Sequence, residues 1–208
     1  DNKIVGKHQI LTINTNEITN ATKKALQKDA GDKGERTVEF ELRWLPQGYI
    51  SIEKDCISKY SSRCILLANP NYLDGISQEF DHIVVSAKGV FVIETKNVSG
   101  ELFVDENGNW SRTVNGQTTG IPSPVSQLNK HCKVLTSIIG NVPIVKIICI
   151  ANSASIITSK HKSDYFIVKY DCLCDFIENF DSKEAGFRRE VNVNDVVDKI
   201  NRHKVSHT

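Results

Sequence analysis

Three charged side chains stand inside the otherwise apolar stretch FDHIVVSAKGVFVIETK, residues 80–96, and their types and spacing could do chemistry: Asp81, Glu94 and Lys96. Side chains alternate faces along a strand, so Glu94 and Lys96 point the same way, roughly 7 Å apart. With Ser86-Ala87-Lys88-Gly89 as a turn, the two halves read as a β-hairpin. If Ser86 opposes Gly89, Asp81 lies directly opposite Glu94; if Gly89 makes a one-residue bulge, Asp81 opposes Thr95 and stays diagonal to Glu94 and Lys96. Either register gathers two carboxylates and an ammonium group. Neighbouring carboxylates disfavour each other's ionised forms. A hard divalent cation such as Mg²⁺, which prefers oxygen ligands, would relieve this better than one lysine. The competing explanation is a salt bridge on a solvated hairpin face, the usual meaning of Glu-x-Lys.

The elements that must position these residues follow from periodicity. Residues 9–13 read as a short strand. A helix from about Asn20 is expected to be interrupted near Gly31 and Gly34, and a second to begin at Glu35, where Glu35, Val38, Leu42 and Leu45 share one face. Glu35 thus lies on or beside the core-facing stripe: it either joins Asp81 and Glu94, or faces solvent or the helix N-terminal dipole. Pro46 and Gly48 mark irregular chain, residues 63–69 a strand and residues 70–79 a loop. Strands at residues 101–104 and 110–114, with turns at 105–109 and Asn115-Gly116, suggest a meander in which Trp110 packs.

Pro122-Ser123-Pro124 precedes a helix whose core face is Val125, Leu128, Cys132, Leu135 and Ile139. Gln127 and His131 lie on its flank. A helix start favours anions, so Gln127 could place a phosphate or a water, surface polarity being the plainer reading; His131 reads as a surface or flank residue. The apolar run 144–151 is a buried parallel strand completing a crossover unit, and residues 165–169 another strand. Two helices follow, around Leu173 to Phe180 and Val193 to Ile200.

A chain of 208 residues, 39% hydrophobic and 25% charged, is long enough for one α/β domain with a substantial core. The division expected is a lead and helix at 1–30, a core at 31–152, and a C-terminal strand and helices at 153–208 completing the same domain. Net charge of +1 gives no global field to gather nucleic acid, though a local basic groove or a bound cation would still hold phosphate. The six cysteines form no CxxC pair, and several sit in apolar runs as buried thiols do; Cys172-x-Cys174 has the wrong spacing for zinc. No run approaches 18 apolar residues and no secretory leader is present, so this segment is expected to make no membrane contact. The expected place is the cytoplasm or the cytoplasmic face of a membrane, with an anchor upstream of Asp1 left open, as is a fragment of a longer chain.

Gly34-Glu35, Asp81-His82-Ile83-Val84-Val85, the run Gly89 to Lys96, Asn97 to Gly100, Trp110, and Pro124 to Gln127 followed by His131 resemble, in order and spacing over about residues 31–140, the nuclease-related domain family (NERD). That family is a branch of the restriction-endonuclease-like nucleases with a PD-(D/E)xK core; here Phe80-Asp81 stands in place of Pro-Asp. The resemblance implies a restriction-endonuclease-like α/β core with a mixed central sheet flanked by helices. It also implies a metal-dependent DNA endonuclease or nicking enzyme with Glu35, Asp81, Glu94, Lys96 and Gln127 as its catalytic set. Asp81, Glu94, the backbone carbonyl of Thr95 and Glu35 would hold Mg²⁺ or Mn²⁺ against the scissile phosphate. Lys96 would orient or help deprotonate the attacking water, so that Asp81→Ala or Lys96→Ala would abolish cleavage and leave folding largely intact. DNA is the partner implied, with room for a homodimer. The alternative is a catalytically inactive, nuclease-like DNA-binding or protein-interaction module.

Overall fold

The computed structural model describes residues 15–52, 65–68, 77–187 and 189–205; the strand read at residues 9–13 lies outside them, as do Cys56 and Cys64. Valine, isoleucine and phenylalanine fill both arms of the central hairpin. They form β4 (His82–Ser86) and β5 (Gly89–Lys96), in which every residue but Lys96 is buried. Ser86 pairs with Gly89 and His82 with Ile93. This is the unbulged register, and one step beyond the last pair it sets Asp81 opposite Glu94.

Strand β5 runs parallel to β9 (Ile144–Ile150), and β9 parallel to β11 (Phe166–Lys169). On the other side β1 (Ile50–Ile52) pairs antiparallel with β4. The result is a mixed five-stranded sheet in the order β1-β4-β5-β9-β11. Alternation divides its side chains between two helical layers. Ile83, Val85, Val90, Val92, Ile148 and Ile150 pack with Leu128, Cys132, Leu135 and Ile139 of α2 (Val125–Ile139) and with Val196 and Ile200 of α4 (Val193–His203). Val84, Phe91, Ile93, Val145, Ile147 and Cys149 pack with Val38 and Leu42 of α1 (Thr15–Leu42) and with Leu173 and Ile177 of α3 (Leu173–Asn179). This is an α/β fold with a mixed central sheet flanked by helices. Among the described residues no helix is long and apolar enough to cross a membrane.

Between β5 and α2 the chain folds a second sheet, from β6 (Glu101–Val104), β7 (Trp110–Val114) and β8 (Gln117–Ile121), with β10 (Ile156–Ser159) added parallel to β6. Trp110 is buried there as a packing residue. A third pairing joins β2 (Ile65–Ala68) to β3 (Ser77–Phe80). Residues 77–79, read as loop, are therefore strand, and β2 belongs to this separate pair rather than to the sheet of the hairpin. Strands β1 and β10, absent from the sequence reading, are three and four residues long and lie at sheet edges, where little periodicity accumulates.

The expected break at Gly31 and Gly34 does not occur: α1 is one helix of 28 residues. Tertiary packing explains Gly34, because a Cβ there would stand 2.8 Å from Asn97 Cβ, 3.4 Å from Ala151 Cβ and 3.5 Å from Thr95 Cγ2. The helix crosses the end of β5 at contact distance, and only glycine fits. A Cβ on Gly31 would meet nothing within 4 Å. The two positions should therefore respond with opposite signs. Gly31→Ala should stabilise by about 0.5–1 kcal/mol through helix propensity, whereas Gly34→Ala should destabilise by about 1 kcal/mol, overlap outweighing the same propensity gain. Urea denaturation of the pair checks this, and equal shifts would refute it.

Candidate functional site

Glu94 is a charged residue built into a buried strand. Its side chain is 1% exposed, a placement tolerated only when the charge finds partners. Lys96, two residues on and on the same face, supplies one: its Nζ donates to Glu94 Oε1 at 2.5 Å, with the lysine side chain one-third exposed. The second comes from α2, where His131 Nδ1 stands 3.4 Å from Glu94 Oε2, too far for a good hydrogen bond, and Oε2 has no hydrogen-bond partner among the described residues. His131 is itself buried, its ring stacked at 4.8 Å on Phe80 at the end of β3.

Asp81 sits where β3 passes into β4. Its Oδ2 accepts the Thr95 backbone N–H at 2.7 Å, so the strand that carries Glu94 also fixes Asp81. Burial, with the charge of Glu94 next and that of Glu35 behind it, pushes the Asp81 carboxyl up to about 8, against the pull of the Thr95 bond and of Lys96. The neutral form of Asp81 is thereby favoured. Glu35 on α1 is partly buried and lies near enough for its charge to act on Asp81. The helix is held there by Gly34 against β5 and by Asn97, whose Nδ2 donates to Ala30 O at 2.8 Å and whose Oδ1 accepts from Asn152 Nδ2 at 3.0 Å. On the other face of the hairpin, alongside Val84, His82 is driven down to about 4 by burial and stays a neutral imidazole.

Asp81, Glu94 and Lys96 thus come together, and the charge of Glu35 is felt at Asp81. Gln127 does not join them: it is exposed on the first turn of α2, and among the described residues no hydrogen bond or ion pair links it to the cluster. Thr95 meets Asp81 through its amide, as a donor, and its Oγ1 is buried without a partner. His131, expected at the surface or on the flank of the helix, is instead one of the most enclosed groups of the site. The signal was present: from Leu128, residues 131, 132 and 135 are the i+3, i+4 and i+7 positions of the same apolar face.

The same geometry tests the fit of a divalent cation. Glu94 Oε1 is taken by Lys96, Oε2 faces His131, and Asp81 Oδ2 is taken by the Thr95 amide. Among the described residues no three histidine, cysteine, aspartate or glutamate side chains are grouped to hold a metal. As placed, binding of Mg²⁺ or Mn²⁺ by Glu94 and Asp81 would require the Lys96 contact on Oε1 or the Thr95 contact on Oδ2 to be exchanged.

Comparison with known proteins closes on this region. The model of the nuclease-related domain matches residues 30–151, a span that contains each of these site residues. An uncharacterized protein of Bacillus anthracis is 28% identical over 120 residues, covering 57% of this chain and 50% of that protein. The chain spans about half the length of this curated relative. No solved structure matches the chain.

Proposed function

Because the chain belongs to the nuclease-related domain family, we propose that it is a nuclease-like DNA-binding module whose carboxylate–lysine cluster serves as a structural and recognition centre rather than a cutting one. The observation that carries this reading is the pairing of Glu94, a buried carboxylate with the Lys96 ammonium on one of its oxygens. Burial and the charge of Glu94 raise the Asp81 carboxyl and favour its neutral form beside Glu94. The restriction-endonuclease-like core implied by the motif order belongs to the same proposal, as does DNA as the polyanion bound.

The second reading is metal-dependent phosphodiester hydrolysis. It is favoured by one observation, the buried Glu94 Oε2 without a hydrogen bond among the described residues, next to Asp81, whose ionised form the charge of Glu94 disfavours. Such a site is short of positive charge, and a cation able to displace Lys96 from Oε1 would find ligands.

Purified protein incubated with linear, circular and branched DNA separates the two, with EDTA, Mg²⁺ or Mn²⁺ and with Lys96→Ala as control. The module reading expects DNA retention in all three conditions and no strand breaks. Breaks that require Mg²⁺ or Mn²⁺ and vanish in Lys96→Ala would establish the second reading. Absence of retention on every DNA would leave protein interaction as the module's role.

A further inference from the structure

The helix α1 is longer than the surface it packs on. Val38 and Leu42 in its second half are buried, whereas Asn20 and residues 22–29 in its first half are exposed. The passage between the two lies at Ala30, tied to Asn97, and at Gly34, pressed on β5. The first half is thus a helical arm held at the site by its base. A helix exposed all round has no core to seat and instead meets solvent or a polar partner.

The arm's charges are arranged. Each residue advances about 100° around the helix axis, so Lys24 and Lys28 fall within about 20° of Glu35 and share its face. That is the face whose last member acts on Asp81. Along the axis Lys24 and Lys28 are about 6 Å apart, and Lys28 stands about 10 Å from Glu35. Both lysines are exposed. Asp32, one turn beyond Lys28 and about 40° round from it, is the nearest acid to the row within residues 20–34, and Leu26, 65% exposed, lies on the opposite side of the helix. The row therefore offers ammonium groups and no large apolar side chain, which suits a polyanion better than a second copy of the chain. With a net charge of only +1 over the whole protein, a local row of this kind must supply whatever phosphate attraction exists.

We propose that the exposed half of α1 is a rail for the DNA backbone, Lys24 and Lys28 holding phosphates of a strand led to the Glu35, Asp81 and Lys96 cluster. The proposal rests on the DNA-binding reading above and names the surface by which DNA arrives. Each strand presents a phosphate about every 3.4 Å of duplex axis, so two lysines about 6 Å apart reach alternate phosphates.

The test is fluorescence anisotropy with a labelled duplex of about 20 bp over a salt series, on the full chain, on Lys24→Ala/Lys28→Ala and on Lys183→Ala, an exposed lysine in the turn after α3. The double variant should keep its circular dichroism, bind about tenfold more weakly, and flatten the log-log salt slope by about 2, whereas Lys183→Ala should stay within about twofold. Unchanged affinity and slope in the double variant would overturn the rail while leaving DNA binding standing. An equal loss in Lys183→Ala would do the same, as would light scattering showing that the double variant loses a dimer. Failure of the unaltered protein to bind duplex would bring down the DNA reading and the rail together.

Discussion

Lys96→Met is expected to lower the folding stability by about 2 kcal/mol, although residue 96 is one-third exposed and lies at the end of its strand. The cost arises at Glu94, which is 1% exposed and loses the ammonium 2.5 Å from Oε1. Removing one partner of a fully buried pair typically costs about 3–5 kcal/mol, and water reaching the lysine end of this one reduces the figure. Glu94→Gln introduced into the Lys96→Met background should restore most of the loss, because the amide removes the stranded charge. The cycle of single and double variants isolates that coupling. Urea midpoints read it directly, and an unchanged midpoint in Lys96→Met would show that Glu94 draws its compensation from elsewhere. Any nuclease assay on a position-96 variant must therefore be accompanied by its stability.

Asp81→Asn should act in the opposite direction, and only above mildly acidic pH. The folded carboxyl titrates near 8 and the unfolded one near 3.8. The folded state thus binds the proton more tightly, and its stability falls as pH rises from about 4 to about 8, levelling beyond. Asparagine does not titrate, yet it keeps an oxygen to accept the Thr95 amide. The variant should match the parent near pH 4, diverge through the window, and melt about 5 °C or more higher at pH 9. Melting curves from pH 4 to pH 9 measure the divergence, and parallel curves would mean that Asp81 is ionised in the folded protein at neutral pH.

Where sequence reading succeeded and where it failed has a physical pattern. The hairpin was legible because an apolar run around Ser86 and Gly89 leaves few ways to pair, whereas the choice between its two registers came from the structure. Strands β9 and β11 and helices α2 to α4 were legible because their apolar stripes are unbroken. Glu94 and Lys96 could be placed on one face by counting, and Asp81 opposite or diagonal to them in either register of the turn. The continuity of α1 was not legible, since a glycine that permits close approach and a glycine that ends a helix look alike until the neighbour is known. Nor was His131, where residue polarity outweighed position although the helical count pointed inward. The pairing of Lys96 with Glu94, on which the choice between binding and cutting turns, depends on how deeply β5 is buried, and that depth is set by α1 and α2 together.

Glu94 and His131 reach the cluster from opposite ends of a detour, the sheet β6–β8 placed between strand β5 and helix α2. Its point of departure is clamped, with Arg112 donating to Ser99 O at 2.6 Å and to Ser99 Oγ at 2.8 Å, and Ser155 Oγ donating to Val98 O. Its far strand, β8, is exposed along nearly its whole length. Inheritance can therefore lengthen, trim or redecorate that outer strand without moving either end of the cluster, making it the natural graft point for new specificity on an unchanged centre.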